Sequence, residues 1–271
     1  MTCKYSIIIP TYNRELLLCR AVESIFKNSS TDVEVIVVND GSADSYENFL
    51  KEFSHKINYV HLDASLGVSA ARNVGIQSSE SNWVVFLDDD DYLAEDFFVN
   101  LDRCIEDKPD IDVFWSDVSV LKKSIAGTLM LDAICFPGSS AGADHLKKAF
   151  LTIGISYGVC MRRKVFSRVG CFDTAFNVGE DLDLFIRILD NGLSISPTAK
   201  MGVFKDELRE DRLSCHYARY SEGQIYERLF LKHKLFFESN PSLYNDLLGW
   251  SLQIHVKHGN MTSIAETLLN Y

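Results

Sequence analysis

The sequence predicts an α/β fold: a mostly parallel sheet flanked by helices, followed by a short C-terminal helical extension. Three observations carry it. Short apolar, β-branched runs alternate with segments of helical period over the first hundred residues. The connections between them are turn-rich and short, and late in the chain the pattern becomes helical throughout. Parallel strands covered on both faces read as continuous apolar runs, as these do. Residues 6–10 form such a run, closed by a proline. A helix follows, with Leu16, Leu17, Ala21 and Ile25 near a 3.6 period. Residues 33–38 make a second strand, and the Asn-Asp-Gly-Ser turn at 39–42 is placed to cap a helix at 45–53. A third strand is expected at 57–62, a loop and helix at 67–77, and a fourth buried strand at 83–87. The pattern then loosens: helix at 94–106, extended chain at 111–120, a Gly/Ser/Pro-rich variable loop at 122–142, and helices at 143–150 and 181–191. The domain reading is one α/β unit over 1–215 and a helical extension over 216–271.

Composition narrows the function classes. The chain has 271 residues, and 27 Lys+Arg against 38 Asp+Glu give a net charge of -11. Nucleic-acid binders need a basic face to neutralise phosphate, so no nucleic-acid partner is expected. Seven cysteines are scattered singly, with no CxxC pair, which reads as reduced and mostly core thiol in a cytosolic protein. The apolar run at 6–10 is too short for a signal peptide, and no stretch approaches the ~20 apolar residues of a membrane helix. The expected location is cytoplasmic, with peripheral contact at the membrane face as an option for the tail. There, Arg228, Lys232, His233 and Lys234 are mixed with Leu229, Phe230, Leu235, Phe236 and Phe237, a pattern that suits anionic lipid or packing on the α/β unit. Oligomeric state is not legible.

Four features that carry chemistry fall at expected strand ends, where open α/β sheets bind ligands. Asp88, Asp89, Asp90 and Asp91 follow the fourth strand. Adjacent carboxylates repel unless solvated, protonated or neutralised, and the Asp-x-Asp pair Asp88 and Asp90 suits Mg²⁺ or Mn²⁺ together with substrate phosphate. The plain alternative is an acidic turn capping the next helix. Asp40 closes strand two, where a carboxylate accepts from a base or ribose donor or simply caps a helix. In the stretch 67–73 small residues allow close backbone approach, and Arg72 supplies a fork for phosphate or a base carbonyl. Glu180, Asp181 and Asp183 open a helix, which the macrodipole alone would favour.

The motifs SIIIPTYNR (6–14), VNDGS (38–42), LGVSAARNVGI (66–76), FLDDDDYL (86–93) and GEDLDLFIR (179–187) occur in that order, with a Gly-x-Phe-Asp turn at 170–173. The series closely resembles family 2 glycosyltransferases, nucleotide-sugar enzymes of the GT-A fold, over roughly residues 5–215. The resemblance implies a metal-dependent inverting transferase with Mn²⁺ or Mg²⁺ as cofactor, a nucleotide-sugar donor (UDP by family frequency) and a glycan or lipid-linked acceptor, in surface-polysaccharide or other glycan biosynthesis. It implies that Pro10, Thr11, Tyr12 and Asp40 hold the uridine, Arg72 lies near base and phosphates, Asp88 and Asp90 bind the metal, Asp89 touches ribose, and Asp181 is the general base. Asp91 and Asp183 are further carboxylates of the same motifs. Relatives carry basic residues on a loop over the diphosphate, for which Arg212 and His216 are the candidates here. Trp115 and Asp117, after the 111 strand, are candidates for acceptor contact, with a core role as the plain reading of Trp115.

Rival readings are weaker. A sugar-nucleotide pyrophosphorylase would show a glycine-rich, arginine-containing loop after strand one, where this chain has Thr11-Tyr12-Asn13-Arg14. A Mg²⁺ phosphatase lacks its early nucleophilic aspartate with a downstream lysine, and a dinucleotide dehydrogenase lacks GxGxxG. A non-catalytic sugar- or nucleotide-binding relative would not need Asp88, Asp90 and Asp181 intact.

Overall fold

Every residue of β1 (Tyr5–Thr11) is buried, because this strand is central in its sheet and covered on both faces. The computed structural model describes residues 3–28, 32–43, 45–123, 129–137, 142–176, 178–206, 208 and 222–257. β1 pairs in parallel with β2 (Val33–Asn39) and β4 (Trp83–Phe86), and β2 with β3 (Asn58–His61). Ile8 lies opposite both Ile36 and Phe86. The strand period of two then separates two cores. Ile8, Val84 and Phe86 face one, and Ile7, Ile9 and Val85 face the other. Helix α1 (Glu15–Lys27) covers the second with Leu18, Ala21, Val22 and Ile25. Helices α2 (Glu47–Phe53) and α3 (Val68–Ser78) complete the first half.

The remaining elements are β5 (Tyr92–Leu93), α4 (Phe97–Asp107), β6 (Val113–Lys123), β7 (Leu129–Ile134), α5 (Ala143–Phe150), β8 (Cys160–Arg162), α6 (Lys164–Val169), α7 (Glu180–Asp190) and β9 (Ile195–Asp206). The sheet order is β3-β2-β1-β4-β8-β6-β9-β5, with β7 on β6. β8 runs antiparallel to both β4 and β6, while β6 and β9 are parallel. The sheet is thus parallel through its first half and mixed beyond it. The chain runs outward from β1 to β3 and returns to the other side of β1 as β4. That reversal is a topological switch point, and it leaves a crevice at the carboxyl ends of β1 and β4.

Two expectations need correction. The stretch 122–142 is not all loop: β6 runs to Lys123, and β7 pairs back on it from Leu129 to Ile134. The 39–42 turn does not cap the next helix. That helix starts at Glu47 after Tyr46, which has φ 53° and gives no side-chain cap. The six described cysteines are free thiols, and four belong to the cores: Cys160 is buried, and Cys19, Cys104 and Cys171 pack against core side chains.

The tail forms α8 (Glu222–Lys232), α9 (Lys234–Ser239) and α10 (Pro241–Lys257). Leu229, Phe230, Phe236, Phe237, Leu243 and Leu247 are buried in the same core as Trp115, Phe150 and Phe185. Packing therefore accounts for most of the tail's apolar face, while Leu231 and Leu235 remain exposed. A buried ionic tie fixes the attachment. Asp183 of α7, fully buried, accepts from Arg187 at 2.8 Å, Lys232 at 2.6 Å and His233 at 2.8 Å. Burial alone would raise this carboxyl, but those partners hold it well below the usual carboxylate range. Among the described residues no helix is long and apolar enough to cross a membrane.

Candidate active site

A cavity of ≈ 820 Å³ opens at the carboxyl ends of β1, β2 and β4. Each strand end delivers polar groups into it. β1 ends at Thr11, whose hydroxyl donates to Asp89 at 2.8 Å. β2 is followed by Asp40, which accepts from Ser65 Oγ (2.7 Å) and from the backbone N–H groups of Leu66 (2.8 Å) and Gly67 (2.9 Å). The neighbouring Gly41 has φ +71°, and a Cβ there would lie 2.4 Å from the Ala64 carbonyl carbon. Only glycine allows this approach. Asp40 thus shapes the 65–67 segment of the cavity wall, and a carboxylate's four acceptor sites leave it one more bond to accept.

After β4 come the four aspartates, and the structure shows how they are tolerated side by side. Arg72 bridges Asp88 (2.9 Å) and Glu180 (2.7 Å). Arg14 reaches Asp89 (3.2 Å) and Asp90 (3.1 Å). Lys205 of β9 pairs with Asp91 and donates to Ser156 at 2.7 Å. Burial pushes Asp89 and Asp91 up to about 7, and Glu180 likewise. Burial pushes Asp90 up as well, aided by Asp88. Asp88 is the exception: Arg72 and Lys205 outweigh its burial and hold it below the usual value. Carboxylate oxygens of Asp88, Asp90 and Asp91 lie within 4.8 Å of one another. That is a hard-oxygen donor set of the kind Mg²⁺ and Mn²⁺ take, and raised carboxyl values are what an added cation would relieve.

Asp181 stands at the start of α7 on the same cavity. Gly179 precedes that helix with φ +80° and turns the chain into it. Asp181 Oδ1 accepts the Leu182 N–H at 2.8 Å. Burial raises its carboxyl above the usual value, against the pull of Arg72.

The sequence from residue 6 to residue 169 matches the family model described as glycosyl transferase family 2. The chain belongs to that family. An uncharacterized glycosyltransferase of Rickettsia bellii is 38% identical over 225 residues, covering 82% of this chain and 31% of that protein. Glycosyltransferase GlyA of Streptococcus pneumoniae is 38% identical over 114 residues, 41% of this chain and 16% of the relative. An uncharacterized glycosyltransferase of Haemophilus influenzae, 25% identical, is covered to 61% of its length. This family 2 chain therefore spans less than two thirds of these curated relatives. Among solved structures, S. aureus TarS 1–349 in complex with UDP-GlcNAc superposes with a TM-score of 0.68 at 18% identity, over 93% of this chain and 81% of that one. That likeness shows the fold, the GT-A arrangement expected from the motifs.

Pro10, Thr11, Tyr12, Asp40, Arg72, Asp88, Asp89, Asp90 and Asp181 all line the one cavity, brought there from five separate stretches of sequence. Trp115 does not line it: its ring is fully buried against Phe136 and Phe150. Asp117 accepts the Phe136 N–H at 2.9 Å and braces the chain after β7. Asp183 faces away, into the tie with the tail. Arg212 and His216 lie outside the described residues. Two cavity cations were not anticipated. Arg14 sat inside a quoted motif, where its charge beside a distant acid cluster was the available signal. Lys205 had none, because nothing local says that β9 returns to the fourth strand's end.

Proposed function

We propose that this chain transfers a sugar from a nucleotide-sugar donor, a UDP-sugar by preference, to an acceptor hydroxyl with inversion, in the building of a cell-surface polysaccharide or related glycan. The observation that carries the reading is the meeting of Asp181 with the Asp88–Asp91 cluster in one cavity at the switch point. Asp181 takes the proton of the acceptor hydroxyl as that oxygen bonds to the anomeric carbon. The bond from that carbon to the diphosphate breaks in the same displacement, and the nucleoside diphosphate leaves with its electron pair. An α-linked donor then gives a β-glycoside, with no covalent enzyme intermediate. Tyr12, half exposed at the cavity rim, and Asp40 are proposed to hold the base, Asp89 and Thr11 the ribose side, and Arg72 the phosphate side.

Asp88 and Asp90, joined by Asp91, are proposed to hold Mn²⁺ or Mg²⁺, which when bound supplies positive charge to the departing diphosphate. The names of relatives support the glycan setting: the minor teichoic acid biosynthesis protein GgaB of Bacillus subtilis is 39% identical over 115 residues, and TarS binds UDP-GlcNAc. Calorimetric titration of UDP, GDP and dTDP, each with Mn²⁺ and with EDTA, tests the proposal. Binding of one nucleotide that requires Mn²⁺ is expected, and absence of binding under every condition would overturn the donor assignment.

A further inference from the structure

A second cavity, of ≈ 550 Å³, adjoins the first. Val178, Gly179 and Asp181 border both, so the proposed base stands on the wall between them. Its other walls are apolar and aromatic: Leu151, Ile153, Leu182, Ile225, Tyr226 and Trp250. Its volume lies in the range of ordinary small-ligand sites.

The walls are held in place by specific contacts. A Cβ on Gly179 would lie 2.6 Å from Ile225 Cγ2, so α8 is pressed directly onto the turn that presents Asp181. Arg228 donates to the Ala175 carbonyl at 2.9 Å and lies 4.6 Å over the Phe176 ring. Lys232 of the same helix pairs with Asp173 at 2.7 Å and with Asp183 at 2.6 Å. These contacts tie the tail, which supplies Ile225, Tyr226 and Trp250, to the segments on either side of the base.

We propose that this second cavity is the acceptor subsite and that it takes a neutral sugar ring, its C–H face against Trp250 and Tyr226. The inference rests on the reading of Asp181 as base, and it names the acceptor's chemistry. A nucleotide sugar fills the first cavity, so the attacking hydroxyl must reach Asp181 from another side, and the second cavity reaches it. The charge of the site selects the class. Among the described lining residues there is no Lys, Arg or His, and Asp181 is the charged one. A phosphate-bearing acceptor would meet that carboxylate with no cation among the described lining residues to offset it. A neutral pyranose lays apolar C–H surface on aromatic faces and offers hydroxyls to Asp181 and Thr152. The reading thus departs from the polyol-phosphate chemistry that some relatives' names carry.

Saturation-transfer NMR with UDP bound tests it, the probes being the methyl β-glycosides of glucose, galactose and N-acetylglucosamine, with sn-glycerol 3-phosphate as the anionic comparison. At least one glycoside is expected to receive saturation. Trp250→Ala should weaken it about tenfold, one aromatic contact's worth. Trp250→Phe should keep most of the signal, and UDP affinity should stay unchanged in both variants. Equal glycoside binding by Trp250→Ala, preference for glycerol phosphate, or no glycoside bound to the UDP-loaded protein would each overturn the subsite. If UDP, GDP and dTDP all fail to bind, the donor reading falls. The glycoside comparison between wild type and Trp250→Ala, run without nucleotide, then still decides the cavity's role.

Discussion

Unlike Glu180 and the four carboxylates of the Asp88–Asp91 cluster, Asp181 is paired with no cation among the described residues; its Oδ1 is held by the backbone N–H of Leu182. Burial raises its carboxyl, which suits the role of proton acceptor proposed for it. Asp181→Asn keeps the shape and an oxygen acceptor for Leu182 but removes the basic lone pair. Turnover should fall by about 10²–10⁴, while nucleotide affinity by calorimetry stays near wild type. Near-normal turnover in this variant would remove Asp181 from the role. A raised carboxyl also fixes the sign of the pH profile: the base is lost as pH falls through its folded value, so kcat should decline on an acid limb lying above the ordinary aspartate range. Lys205 invites a separate test, because it compensates Asp91 deep in the wall. Lys205→Met should cost about 3–5 kcal/mol by urea denaturation in EDTA, the usual result of leaving a buried charge unpaired. Adding Asp91→Asn should recover most of that loss, and additivity of the two substitutions would argue against the pairing.

At the scale of elements, α7 presents Asp181 at its start, and the buried Asp183 two residues on anchors it to Arg187, Lys232 and His233. Asp183→Asn should destabilise the protein by about 3–5 kcal/mol at neutral pH, measured as a fall in urea midpoint. The sign with pH follows from the depressed carboxyl. Its stabilisation is complete above the unfolded value and is lost as pH falls toward the folded one. The gap between wild type and variant should therefore narrow below about pH 4; a gap independent of pH would mean that packing, not charge, is what the variant loses. The same helix shows how far sequence reading reaches. Its start, the strands at β1, β2 and β4 and the acid cluster were legible because apolar runs and turn chemistry are local. β7 was not: residues 129–134 are mostly exposed, so no buried face imposes an alternating pattern. Trp115 was ambiguous for the opposite reason, since a large aromatic beside a strand end reads the same whether it faces a ligand or a core. Arg72 suits phosphate or a base carbonyl by residue type, but the partners its fork engages, Asp88 and Glu180, lie 16 and 108 residues away and are not legible locally.

For the molecule as a whole, the question is whether 216–271 is an appendage or part of the catalytic unit. The described helices of the tail contribute Leu229, Phe230, Phe236, Phe237, Leu243 and Leu247 to a core that also contains Ile8 of the central strand and Leu184, Phe185 and Ile188 of α7. Apolar burial of this kind stabilises by about 1.5–3 kcal/mol per large side chain. Six such residues amount to about 9–18 kcal/mol of apolar burial, comparable with the 5–15 kcal/mol by which a typical domain is stable at all. A chain ending at residue 221 would expose the α7 face that those side chains cover and would leave Asp183 with Arg187 as its remaining partner from this tie. It should not hold a native fold, and this would be seen as loss of near-ultraviolet circular dichroism and of cooperative unfolding. The intact chain should unfold in urea in one transition, with far-ultraviolet circular dichroism and tryptophan fluorescence coinciding. Trp83 and Trp115 report the sheet while Trp250 reports the tail, so Trp250→Phe separates the two signals. If the tail were a separate unit, the fluorescence of this variant would shift to a different midpoint from that of wild type by more than the substitution's own effect on circular dichroism. A coincident shift would mean that the helices bearing the second cavity and the sheet bearing the first fold as one body.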